Sequence, residues 1–246
     1  MNRNTFLKRS ALLVAGLPLA SSFIKFPRNQ QPSKELLMGK GSPNFLGDSF
    51  KLEAETYHAL VRMQEAARLE GIQIEVVSAY RSYQRQLQIW TGKYNRFTAA
   101  GMSPQAAMDK IIEYSTIPGT SRHHWGTDID LIDQNAPRPT HVLEPEHFHG
   151  KGPFCKFKDW MNLHANSFGF YEVYTNNAHR KGFKYEPWHF SYKPTSHAYL
   201  KAYKQLDIKK ELQQDAFAGT EHFTETFIDN YIQNNILDIN PALKSE

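Results

Sequence analysis

The spacing of apolar residues along this chain changes period several times, and each change marks an element. Over 52–70, apolar residues fall at Leu52, Ala59, Leu60, Met63, Ala66 and Ala67 with charges between them, the pattern of an amphipathic helix, and Gly71 ends it. Residues 72–78 alternate and are β-branched, so a strand follows. It delivers Ala79-Tyr80-Arg81-Ser82 to its end. Helical spacing resumes over 83–94 through Leu87, Ile89 and Trp90, with Ser82 as N-cap. A further helix is predicted over 103–112, where Ser103 caps and Pro104 takes the first helical position. Residues 114–120 are turn-prone. The stretch 127–132 reads as a strand with Asp128 and Asp130 on one face and Ile129 and Leu131 on the other.

Pro137, Pro139, Pro145 and Pro153 make the next loop too proline-rich for regular structure. Helical spacing returns over 157–167 through Trp160, Leu163 and Ala165, and Gly169 closes that helix before a strand at 170–174. A hairpin-like loop at Asn176-Asn177 leads to 183–192, where Pro187 predicts an edge strand or one interrupted by a bulge. Residues 195–239 read as two helices, with Phe217, Phe223, Phe227, Ile228, Tyr231 and Ile232 as a face packed on the domain.

A length of 246 residues suits one catalytic domain with appendages. Arg3, Lys8 and Arg9 flank a short apolar run, and Ala20-Ser21-Ser22 supplies small residues for cleavage, so 1–22 reads as a signal peptide. The segment 2–8 is similar to a twin-arginine signal in its Phe-Leu-Lys part, with Asn4 in place of the second arginine. A linker at 23–45, a catalytic domain at 46–194 and a helical extension at 195–246 complete the division. Losing 1–22 removes three bases and no acid, which takes the net charge from +4 to +1. That near-neutral balance excludes a nucleic-acid surface. Cys155 is the only cysteine, so no intramolecular disulfide forms and no lipid anchor is expected beside the signal. An exported protein of the periplasm or cell envelope, without a stable membrane anchor, is the expectation.

The chemistry concentrates in Ser121-Arg122-His123-His124-Trp125-Gly126-Thr127-Asp128-Ile129-Asp130 and in Glu186-Pro187-Trp188-His189. A hydrolytic zinc site needs three protein ligands, an open position and a base. His123, Asp130 and His189 supply the ligands, and Glu186, three residues before His189, supplies the base. His124 is a rival ligand, and Asp128 is either an acceptor for a ligand histidine or an exposed acid. The stretch Glu144-Pro145-Glu146-His147-Phe148-His149 is a decoy, read as a flexible rim. Cys155 is read as a buried, inert thiol.

Ser121-x-His123-x-x-Gly126-x-x-x-Asp130 with Glu186-Pro187-Trp188-His189 resembles the D-alanyl-D-alanine carboxypeptidases of the VanY type. Ser78-Ala79-Tyr80-Arg81-Ser82, Pro118-Gly119 and Ser167-Phe168-Gly169-Phe170 extend the likeness over about residues 52–193. The resemblance implies an α+β fold, an antiparallel sheet flanked by helices, with zinc in a groove on the sheet. It places zinc on His123, Asp130 and His189 and makes Glu186 the base. Arg81 then steadies the carbonyl oxygen, and Ser121 and Gln86 hold the peptide end. The implied activity is release of terminal D-alanine from peptidoglycan stem peptides. An LD-carboxypeptidase or an endopeptidase on the same scaffold is the alternative, and a non-catalytic zinc-containing wall-binding module is the alternative of another class. Two departures stand out: Asp128 where the family usually has Ala, and Ser191 where an Arg commonly follows the Trp-His pair.

Overall fold

Four short, alternating segments make the centre of the fold in the computed structural model, which describes residues 31–244. β1 (Ile74–Ser78), β2 (Asp128–Asp133), β3 (Phe170–Glu172) and β4 (His189–Tyr192) form one antiparallel sheet in the order β1-β2-β4-β3. Period-two alternation sorts the side chains of β2 and β4 by chemistry. Ile129, Leu131 and Phe190 enter an apolar cluster, whereas Asp128, Asp130, His189 and Ser191 are buried on the opposite face. Register sets Asp128 against Ser191 and Asp130 against His189. A bulge between Val76 and Ser78 brings Ser78 opposite Asp130 at the same end.

The apolar face of the sheet is covered by α2 (Ala54–Leu69) and α5 (Cys155–His164), through Leu60, Met63, Phe157 and Met161. A second cluster gathers α3 (Tyr83–Ala99), α4 (Pro104–Ile111), α6 (Lys193–Tyr203), α7 (Ile208–Gln214) and α8 (Glu225–Tyr231) around Trp90, Met108, Leu200, Leu212 and Ile228. The predicted caps form: Ser82 accepts from Arg85 N at 3.2 Å and Ser103 from Ala106 N at 3.3 Å.

Several boundaries differ from the sequence reading. The signal segment 1–22 lies outside the described residues, as does the start of the linker. Within that linker, α1 (Lys34–Leu37) forms, and Leu37 and Met38 are buried in the second cluster. One turn of apolar residues is too short to announce itself by periodicity. Among the described residues the segment after 195 holds three α-helices, α6 to α8, rather than two and shares its core with α3 and α4, so it is integral to the fold. β4 is interior to the sheet and not an edge, because Pro187 stops short of the ladder. The proline-rich loop includes a 3₁₀ turn at Pro145–Phe148, anchored by Phe148 against Phe154, Phe157 and Trp188. Cys155 is half-buried rather than buried. Among the described residues no helix is long and apolar enough to cross a membrane.

Trp90 ties the C-terminal segment to α3. Fully buried, it meets Phe217 and Phe223 edge-on at 6.1 and 6.0 Å, and its Nε1 donates to the Ala218 carbonyl at 2.8 Å. Trp90→Ala is expected to destabilise the fold by about 3–5 kcal/mol, measured by urea unfolding; a loss under about 1 kcal/mol would mean that the segment is not part of the cooperative core.

Candidate metal centre

Two loops are stitched together before any ligand is aimed. Arg81 N donates to the His123 carbonyl at 3.0 Å, and His123 Nδ1 lies 2.8 Å from the Ala79 carbonyl. His124 Nδ1 lies 2.6 Å from the Arg81 carbonyl, while its Nε2 accepts from Gly119 N at 3.2 Å. Both nitrogens of His124 are thus engaged, and the fully buried ring is a structural clip rather than a ligand. Burial pushes it down to about 4, which keeps it neutral. The stitch demands glycine nearby: Gly39, at φ +70°, packs so closely on the His124 ring that a Cβ would sit 2.4 Å from Nδ1.

With Nδ1 of His123 donating to a carbonyl, Nε2 carries the lone pair and faces the sheet. It lies 3.5 Å from Asp130 Oδ2, and His189 Nδ1 lies 4.0 Å from Asp130 Oδ1. One donor atom from each of His123, Asp130 and His189 falls within 4.8 Å of the others. The second nitrogen of His189, Nε2, is 3.1 Å from Asp128 Oδ1, so Nε2–H donates to Asp128 and Nδ1 is left for a ligand's role. Glu186 Oε2 lies 2.9 Å from His189 Nδ1, beside the same point.

The donor set fits a divalent metal such as zinc. Two imidazoles and a carboxylate are ordinary zinc ligands. Asp130 Oδ1 is buried with no hydrogen-bond partner among the described residues, a costly state that a cation relieves. Without metal, burial raises Asp130 to about 6, with Glu186 adding to the shift against the opposing charges of His189 and Arg81. Burial also disfavours a charged His189, but the hydrogen bonds it donates to Asp128 and Glu186 and the charge of Asp130 outweigh it and raise the ring to about 10. Burial, with the charges of Arg81 and His189, holds His123 well below its ordinary value.

Asp128 is kept ionised against its own burial. Arg122 Nε donates to Oδ1 at 2.8 Å, and Thr127 and Ser191 hydroxyls each donate to Oδ2 at 2.8 Å. Arg122 Nη2 also donates to Ser191 Oγ at 2.6 Å. The two departures from the family pattern, Asp128 and Ser191, therefore sit opposite each other in the sheet and share one arginine. Sequence reasoning missed Arg122; its place beside Ser121 in the motif was the available signal.

These groups open into a groove of about 590 Å³ lined by Arg81, Lys93, Ser121, His123, Asp130 and Glu186. Arg81 donates through Nη1 to Gln86 Oε1 at 2.8 Å and through Nη2 to Ser78 Oγ at 3.1 Å. Gln86, expected to touch substrate, is instead fully buried behind Arg81, with its Nε2 on the Thr116 carbonyl at 2.7 Å. The first turn of α3 points inward, so Gln86 aims the guanidinium rather than lining the groove. Ser121 is in the wall, its Oγ accepting from His123 N at 3.3 Å. Glu144 and Glu146 reach the groove as its rim, while His149 stacks on Tyr185, away from the ligands.

Comparison with known proteins places this geometry. A D-alanyl-D-alanine carboxypeptidase of Enterococcus faecalis is 28% identical over 129 residues, which is 52% of this chain and 43% of the relative. An uncharacterized protein of Haemophilus influenzae is 35% identical over 80 residues, 32% of this chain and 61% of that protein. The chain spans less than two thirds of the length of either curated relative. The solved structure of VanYB in complex with D-Alanine-D-Alanine shares the fold, with a TM-score of 0.50 and 22% identity over 70% of this chain and 88% of that one. The family model for VanY, D-alanyl-D-alanine carboxypeptidase, matches residues 49–195, more than half of the chain and every residue of the groove named above, and the chain belongs to that family.

Proposed function

We propose that the protein is a zinc-dependent peptidase that hydrolyses peptidoglycan stem peptides and releases their terminal D-alanine outside the cytoplasmic membrane. One observation carries this reading: the donors of His123, Asp130 and His189 converge within 4.8 Å at the floor of a groove that also holds Glu186 and Arg81. Family membership supports the substrate class, and the motif-like segment 1–22 supports export. His123 Nε2, Asp130 and His189 Nδ1 would hold the zinc. When bound, it supplies a Lewis acid at the scissile carbonyl and makes water a stronger acid.

The chain's own groups do the rest. Glu186 takes the proton of the attacking water and returns it to the departing amine. Arg81 remains a cation although burial lowers its pKa, and it donates to the carbonyl oxygen as charge grows there. Gln86 and Ser78 hold its plane. Ser121 Oγ, which accepts from His123 N, keeps its own proton to give to the substrate's peptide.

Mass-resolved products from isolated muropeptides test the assignment. A pentapeptide stem is expected to lose one D-alanine with zinc present and none with chelator, and Glu186→Gln to lower turnover roughly 10²–10⁴-fold with zinc retained. Release from tetrapeptides alone would point to an LD-carboxypeptidase. No release from any stem, or full turnover by Glu186→Gln, would sink the proposal.

Acid should strip the metal. The folded state favours protonated Asp130, so its contribution to metal-free stability is full below its ordinary value and is lost as pH rises through about 6. Metal binding runs the opposite way, because it needs the carboxylate and both neutral imidazoles. The gain in Tm on adding zinc is therefore expected to fall steadily on acidification, the His189 proton competing with the metal from about pH 10 downward and the Asp130 proton joining it below about pH 6, read by calorimetry across pH. A gain that grows on acidification would contradict this ligand set.

A further inference from the structure

We infer that Lys93, with the hydroxyls of Ser115 and Thr116, forms a carboxylate-binding subsite in the wall of the groove, which takes an anionic group of the substrate. Lys93 lies seven residues after Gln86 on α3, on the same helical face, and shares the groove lining with Arg81, Ser115, Thr116 and Glu186. Its Nζ donates to Ser115 Oγ at 2.6 Å and, among the described residues, pairs with no carboxylate.

The chemistry of this wall is one-sided. An ammonium has three protons to give, and Ser115 takes one. Having accepted from Lys93, the Ser115 hydroxyl still has its own proton to donate. Thr116 Oγ1 is buried and has no hydrogen-bond partner among the described residues. The wall thus holds unspent donors, and a carboxylate is the group that only accepts. Glu186 shares the lining but makes no ion pair with Lys93, and Glu144 and Glu146 lie on the rim contributed by the proline-rich loop.

Electrostatics agrees with the geometry. Burial is the largest force against the Lys93 charge, followed by repulsion from Arg96 and Arg81, and Glu186 only partly offsets them. Lys93 is thus a half-buried cation placed near guanidinium groups with, among the described residues, no ion-paired carboxylate. Such a local conflict is expected where a ligand completes the charge balance. An incoming carboxylate would set the direction of the peptide along the groove.

This inference rests on the peptidase reading, and the test separates the two. Steady-state kinetics would compare a D-alanyl-D-alanine pentapeptide, the same peptide amidated at its C-terminus, and the same peptide amidated at its internal stem carboxylates. Lys93→Met is expected to raise KM for the free pentapeptide roughly 10- to 100-fold with kcat little changed, and Lys93→Arg to restore most of the loss. The effect of Lys93→Met should vanish on whichever amidated peptide lacks the bound carboxylate, which tells the terminal group from an internal one. Equal KM for wild type and Lys93→Met on the free pentapeptide, or an equal loss on all three peptides, overturns the subsite while leaving the peptidase reading intact. Failure of the wild-type, zinc-loaded protein to cleave any of the three overturns the peptidase reading and the subsite with it.

Discussion

Asp128, Asp130, Glu186, His189 and Arg122 meet at the ends of β2 and β4, and none is more than 7% exposed. Charges so poorly solvated persist only when paired. Arg122 answers Asp128, and His189 is left among Asp128, Asp130 and Glu186. The balance remains acid-rich at the point where the ligand atoms converge, which suits a divalent cation there. Asp128 serves this arrangement twice, by fixing which nitrogen of His189 is free and by anchoring Arg122. The small Ser191 opposite it lets Arg122 reach both partners at once.

The scaffold exists to hold that pocket still. The 79–81 segment and the 121–126 segment are joined by hydrogen bonds through Ala79, Arg81, His123 and His124, so His123 and Arg81 share one junction. Behind it, the Tyr231 hydroxyl shares one hydrogen bond of 2.7 Å with Thr120 Oγ1 and accepts from Ile117 N at 3.0 Å, and Tyr203 donates to the Gly119 carbonyl at 2.9 Å. The C-terminal helices therefore brace the turn that leads into the motif.

Much of this was legible in the residues. β-Branched alternation gave the strands and the face that carries Asp128 and Asp130, serine caps gave two helix starts, and motif spacing gave the residues that converge. What escaped were matters of partnership. The resemblance sets Gln86 on the substrate's peptide end, and only three-dimensional packing shows that it faces Arg81. Arg122 is not singled out until β4 brings Ser191 beside it. Leu37 and Met38 are too few to set a period, yet they close the second core. Pro187 correctly forbade a ladder hydrogen bond, but sheet order, which decides edge from interior, lies beyond local pattern.

The most direct test of the account is anomalous diffraction at the zinc edge from crystals grown with zinc. The account predicts one peak bonded to His123 Nε2, Asp130 and His189 Nδ1, with Glu186 adjacent and unbonded. A protein that binds no zinc there, or a peak ligated by His124 or by the His147 and His149 loop instead, would contradict it.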